Sequence, residues 1–219
     1  MDFDVLRETM FDTQLRTWSV SNEKVFDILR EVKRENFVST ECKNQALFDV
    51  ELPLLDTGEI MFSPKVEARL LSVLCDRAAS SSSVVIGSGS GYFAALLSRI
   101  STSVYCLEIH GRLASFSRSN FANSGIDNVD VMTGDAFLHD FSSRKFDTIV
   151  ICGSVPKVSD KFFSIAASCT YIVGFEGVFP AVTAVCYSRD GVDNRWDKSA
   201  LFDYYVPPLI DPDRDLFEF

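Results

Sequence analysis

The sequence predicts an α/β fold in which a mostly parallel sheet has helices on both faces, with a helical cap before it and an antiparallel hairpin after it. Three observations predict it. From Ser83 onward, short apolar runs alternate with amphipathic stretches of helical spacing. Those runs are apolar on both alternating positions, the mark of strands buried on two faces. The first run ends in glycines at every second position, Gly87, Gly89 and Gly91, just before a helical segment.

The elements follow in order. Asp4 to Thr17 and, after a cap signal at Ser21, Asn22 to Arg34 read as helices. Val25, Ile28, Leu29 and Val32 give the second one an apolar face. Ser39 to Phe62, broken by Pro53 and Gly58, reads as loop. Ser63-Pro64 opens a helix to about Arg77, with serine at the cap and proline at the first helical position. The segment 1–80 is thus a cap carrying the substrate side, and 81–219 the sheet, in one domain. Val84 to Ile86 is the first core strand, followed by a helix through Ala94 to Leu97. Val104 to Ile109 is the next strand, and helix Arg112 to Ser124 ends at Gly125. Val129 to Met132 and Phe146 to Cys152 are further strands, helix Asp160 to Ala167 and strand Tyr171 to Phe175 follow, and Ala181 to Val206 is a hairpin turned at Arg189-Asp190-Gly191.

Bulk properties narrow the function. The chain has 219 residues, 47% hydrophobic and 24% charged, with net charge −10. That balance argues against nucleic acid or an anionic membrane as main partner, since both need a basic face. The most apolar segment, Ile165 to Tyr187, is interrupted by Gly174, Gly177 and Pro180 and rich in β-branched residues, which favours two core strands over a membrane span. Six cysteines form no CxxC pair, and two histidines give no zinc spacing, so no metal is expected. Thiols inside strand-like runs (Cys106, Cys152, Cys186) and an N-terminus without a basic, then apolar, leader point to a reducing, cytoplasmic setting.

The chemistry concentrates after the first strand. Gly87-Ser88-Gly89-Ser90-Gly91 lets the backbone turn sharply and approach a ligand at the carboxyl edge of the sheet. A dinucleotide fingerprint would need glycine at 92, where this chain has Tyr92. The loop therefore suits a nucleoside without phosphates, which is S-adenosylmethionine; a tight turn with no ligand is the alternative. Glu108, 21 positions after Gly87, ends the next strand beside Ile109. A carboxylate there accepts hydrogen bonds from ribose hydroxyls, or is simply a surface acid. Asp135, with Ala136, follows Gly134 and either faces the adenine edge or caps a helix.

With these residues in view, the chain resembles the protein-L-isoaspartate (D-aspartate) O-methyltransferase family over nearly its whole length. The matching segments are Met10 to Arg16, Val25 to Val38 ("VFDILREVKRENFV"), Asp49 to Leu54 ("DVELPL"), the glycine loop, Val104 to Ile109, Gly134-Asp135, Phe146 to Pro156 ("FDTIVICGSVP") and the closing strand Tyr205-Val206-Pro207. The resemblance implies a Rossmann-like, S-adenosylmethionine-dependent methyltransferase. Its acceptor would be the free carboxylate of an isoaspartyl residue in a damaged protein or peptide, whose ester then collapses to a succinimide. Such a reaction needs alignment and desolvation rather than a general base, so His110 and His139 read as incidental.

The sequence departs from the family in two places. The family's G-x-T-I-S-x-P segment, whose hydroxyls help bind the isoaspartyl carboxylate, is Gly58-Glu59-Ile60-Met61-Phe62-Ser63-Pro64 here. Ile60 stands for the threonine and Phe62 for the serine, Ser63 comes one position late, and Glu59 adds negative charge. Met61, Phe62 and Ser63 are the expected substrate-side residues, with N-capping the plainer role for Ser63. Val85 stands where the family has an acid two residues before the first glycine. Repair of isoaspartyl protein, methylation of a different acceptor, and a non-catalytic binding role all remain open at the level of sequence.

Overall fold

The computed structural model describes residues 2–76, 80–191 and 195–210. The end of the predicted third helix at Arg77 and the acidic tail Asp211 to Phe219 lie outside them.

The cap starts with α1 (Phe3–Met10), whose first amides Asp4 N and Val5 N donate to the Asp2 carboxylate. The helical path does not stay α to Thr17. It widens to a π turn over Phe11–Leu15, tightens to a 3₁₀ turn over Arg16–Trp18, and stops at Ser19 with φ of 60°. Helix α2 (Glu23–Glu31) is capped by Asn22, whose side chain accepts from Lys24 N, rather than by Ser21. It ends three residues before Arg34 because Val32 is already extended. Arg34 and Glu35, in the 3₁₀ turn that follows, are buried. Arg7 Nη2 donates to both Glu35 carboxylate oxygens, at 2.6 and 2.7 Å, tying that turn to α1.

The expected loop Ser39 to Phe62 holds a 3₁₀ turn, Thr40–Gln45, and a two-stranded antiparallel ribbon of β1 (Leu52–Pro53) and β2 (Ile60–Met61). Helix α3 (Pro64–Cys75) begins where proline at the first position predicts.

The main sheet comprises β3 (Ser80–Ile86), β4 (Ser101–Glu108), β5 (Val129–Thr133), β6 (Phe146–Val155), β7 (Ala166–Val178), β8 (Ala181–Arg189) and β9 (Asp197–Asp203). Its order is β5-β4-β3-β6-β7-β8-β9. Pairing is parallel from β5 through β7 and antiparallel for β8 and β9. Helices α4 (Tyr92–Leu97), α5 (Gly111–Asn123) and α6 (Asp160–Ser164) connect its strands. The predicted α6 ended at Ala167. It stops at Ser164 because Ile165 O receives Phe146 N and Ala166 pairs with Phe146 in the sheet. Tyr205 to Pro207, expected as a closing strand, is a strap instead. Prolines 207 and 208 have no N–H for a ladder, so it holds through Ser154 N to Pro207 O and Leu209 N to Ser154 O, both 2.9 Å.

Alternate strand residues serve two cores. Val85, Cys106, Val150 and Val173 face the cap together with α4 and α5. Val84, Leu107, Ile149 and Ile172 face the other side, where α6 and the aromatic segment around Phe141 cover them. The core on the cap side runs unbroken from Met10 to Val206. Among the described residues no helix is long and apolar enough to cross a membrane.

The order of strands reverses between β3 and β6, since the chain builds outward through β4 and β5 before crossing to β6. The crevice at the carboxyl ends of those two strands is where open α/β sheets bind ligands.

Candidate active site

A cleft of about 720 Å³, counted to its open mouth, occupies this crevice. Its floor is the glycine loop between β3 and α4. Gly87 and Gly89 hold φ of 75° and 55°, the left-handed region in which a side chain is strained. A Cβ on Gly89 would also sit 2.8 Å from Leu54 Cδ1, a side-chain tip that would have to turn aside. The third glycine has a different reason. Gly91 does not line the cleft, and a Cβ there would lie 2.6 Å from the Phe121 ring. It lets α5 pack against the start of α4.

Glu108, at the end of β4, is 3% exposed and lines the cleft. Its two oxygens are held separately: Oε2 accepts Gly89 N at 2.8 Å and Oε1 accepts His110 N at 3.0 Å. A carboxylate fixed this way keeps its remaining lone pairs for hydroxyls in the cleft. Ile109 and Leu113 supply an apolar wall beside it. Two buried polar atoms near the loop ends lack partners among the described residues, Ser88 Oγ and Asp135 Oδ2. Ser88 faces the cleft.

Of the residues expected to hold the cofactor, the structure brings Gly87, Ser88, Gly89, Ser90, Glu108 and Ile109 together along the cleft. Gly91, Asp135 and Ala136 are not among its lining residues. Asp135 Oδ1 accepts Phe137 N at 2.7 Å, the turn-capping role foreseen as its alternative, which leaves only Oδ2 free. On the substrate side Met61 and Phe62 line the cleft, and the Phe62 ring stands edge-on to Phe175 at 5.3 Å. Ser63 does not line it. It sits at the N-cap position of α3, yet its side chain makes no cap bond; Oγ lies 3.4 Å from the Tyr204 hydroxyl, which bonds Glu51.

Sequence reasoning missed several residues. His110 Nε2 lies 3.3 Å from Glu59 Oε1, both residues lining the cleft, and Arg112 pairs with Asp56. These pairs clasp the β1–β2 turn to the start of α5. Glu67, on the first turn of α3, reaches the cleft although it is 2% exposed. Burial pushes its carboxyl up to about 7, against the opposing pull of Arg34. Arg34 Nε donates to Glu67 Oε2 at 2.9 Å, and its other nitrogens donate to Ala46 O and Phe62 O, so one guanidinium anchors the substrate segment. Pro207 to Ile210 close the far side, with Leu209 over Gly87 and Gly153. The nearly unbroken apolar run into Cys152-Gly153 was the available signal for that side. Nothing in the periodicity marked Glu67, which reads as an exposed helix residue.

Residues 6–168 match the model of the protein-L-isoaspartate (D-aspartate) O-methyltransferase family. The protein-L-isoaspartate O-methyltransferase of Koribacter versatilis is 31% identical over 161 residues, spanning 74% of this chain and 72% of that one. A second such enzyme, from Shewanella sediminis, is 31% identical over 203 residues, 92% of this chain and 82% of its own. Among solved structures, a Plasmodium falciparum protein-L-isoaspartate O-methyltransferase in complex with S-adenosyl-L-homocysteine superposes with a TM-score of 0.75 at 20% identity, over 94% of this chain and 97% of that one.

Proposed function

We infer the activity from family: the chain belongs to the protein-L-isoaspartate (D-aspartate) O-methyltransferases, and it acts as an S-adenosylmethionine-dependent O-methyltransferase on the free carboxylate of isoaspartyl residues in proteins or peptides. The observation that carries the reading on this chain is the Glu108 carboxylate, held by two backbone amides at the wall of a cleft whose Ser88 hydroxyl has no partner among the described residues.

The residues fit the cofactor. Glu108 is placed to accept ribose hydroxyls, and Ile109 and Leu113 to flank the base. When bound beside Glu108, S-adenosylmethionine would supply an electrophilic methyl for the acceptor carboxylate. The acceptor is already ionised and no proton moves, so the protein's work is alignment and exclusion of water. Leu54, Phe62 and Leu209 exclude water by enclosing the cleft with apolar surface. Met61 and Phe62 are the side chains that meet the acceptor, while Ser63 lies outside the cleft lining with its Oγ 3.4 Å from the Tyr204 hydroxyl. Among the described residues Cys42, Cys75, Cys106 and Cys152 are thiols outside any disulfide, which supports a reducing, cytoplasmic place of action.

One observation favours a second reading, the same transfer to a less anionic acceptor: Phe62 and Glu59 occupy the acceptor side of the cleft. Transfer of labelled methyl from S-adenosylmethionine to an isoaspartyl peptide, with the aspartyl peptide beside it, separates the two. Labelling of the isoaspartyl form alone is expected. Labelling of neither, by a protein that binds the cofactor, would move the acceptor to another class.

A further inference from the structure

The strand that leads into the glycine loop brings no charge to the cleft, because Val85 is buried in the cap-side core. A carboxylate reaches that region from elsewhere. Glu67 comes down from α3 into the cleft lining, near enough to Cys152 and Tyr92 to raise both their pKa values. Cys152 in turn lies against Gly87. Arg34 holds one Glu67 oxygen; among the described residues no hydrogen bond holds the other, Oε1. Ser88 Oγ, lining the same cleft, is buried and unpartnered as well.

A nucleoside whose ribose rests on Glu108 must run its 5′ arm along Gly87 and Ser88. In the cofactor that arm ends in an amino acid bearing an ammonium group. We propose that Glu67 is the anion that receives this ammonium, supplied from the cap helix α3, with Arg34 as the positioning residue that aims it. The inference rests on the cofactor reading above. A carboxylate with one oxygen fixed by a guanidinium and the other turned to the cleft gives a directed, charge-assisted acceptor in a site shielded from water. It also links the two halves of the site. Arg34 donates to Phe62 O as well, so the group that aims Glu67 also holds the acceptor segment.

Calorimetry with two ligands tests this. S-adenosylhomocysteine carries the ammonium; 5′-methylthioadenosine shares the nucleoside and thioether without it. Glu67→Gln is expected to weaken S-adenosylhomocysteine by about tenfold or more while leaving methylthioadenosine unchanged, since only the first loses a charged partner. A purely structural role for Glu67 would weaken both alike, and that result overturns the proposal. The unmodified protein gives a second readout that needs no variant. Its preference for S-adenosylhomocysteine over methylthioadenosine should fall as pH drops from 8 to 6 and Glu67 takes up a proton.

Arg34, Tyr92, Cys152, Glu108 and, at the mouth, His110 and Glu59 also face this space. Burial pushes the Tyr92 and Cys152 groups far above this range. The pH slope must therefore vanish in Glu67→Gln; a slope that persists there belongs to another group and overturns the assignment. Binding of neither ligand by the unmodified protein would instead remove the cofactor reading itself.

Discussion

Replacing Glu108 by glutamine tests the cofactor wall at a single atom. The carboxylate now accepts Gly89 N at 2.8 Å through one oxygen and His110 N at 3.0 Å through the other. A glutamine of the same shape has one oxygen and one NH₂. Whichever way it turns, one backbone N–H faces a donor and loses its partner in a site that is 3% exposed. An unpaired buried donor costs about 1–3 kcal/mol, so the unliganded protein should lose about that much stability to urea. Binding suffers separately. A ribose hydroxyl that donated to an ionised oxygen meets an amide instead, and a hydrogen bond to a charged group contributes about 1.5–3 kcal/mol. That predicts affinity for S-adenosylhomocysteine about 10- to 150-fold weaker. Calorimetry measures the affinity and urea titration the stability. A folded Glu108→Gln protein with wild-type affinity would refute the placement of the ribose on this side chain.

Other perturbations give equally definite outcomes. Gly91→Ala puts a Cβ at φ of 86° and 2.6 Å from the buried Phe121 ring. Left-handed strain and overpacking together should cost about 2–5 kcal/mol in urea unfolding. Phe62→Ser removes the ring that stands edge-on to Phe175 and opens the acceptor side. It should lower stability by about 3–5 kcal/mol and lower the KM for an isoaspartyl peptide, both measurable on one preparation. The raised Glu67 carboxyl makes a pH prediction. Between about 4.5 and about 7 the native state keeps a proton that the unfolded chain has lost, so this site's contribution to stability falls as pH rises through that window. Melts across it should show that decline in the unmodified protein and a flatter profile in Glu67→Gln.

Much of the fold was legible because it rests on patterns that repeat. The runs Val84 to Ile86, Val104 to Leu107 and Ile149 to Cys152 are apolar on both alternating positions, the pattern of a strand covered on both faces. The glycine loop was legible because its backbone geometry admits little else. What escaped depends on contacts distant in sequence. The ribbon of Leu52–Pro53 and Ile60–Met61 pairs only two residues on each side, too short for any period. The end of α6 was misjudged because Ile165 and Ala166 are claimed by Phe146 across the sheet, not by local propensity. The strap at Pro207 and Pro208 carried the apolar look of a strand but lacked the donors for one. In the site, Glu108 could be found by its place at a strand end. Glu67 and Arg34 could not, since a buried ion pair spans 33 residues of chain and looks like two ordinary helix charges.

The most direct test of the account is a crystal structure of the protein with S-adenosylhomocysteine. The ribose hydroxyls should lie within hydrogen-bond distance of the Glu108 carboxylate, with the homocysteine arm along Gly87 and Ser88 toward Glu67. A ligand bound away from the carboxyl ends of β3 and β4, or a ribose facing any other side chain, would contradict it.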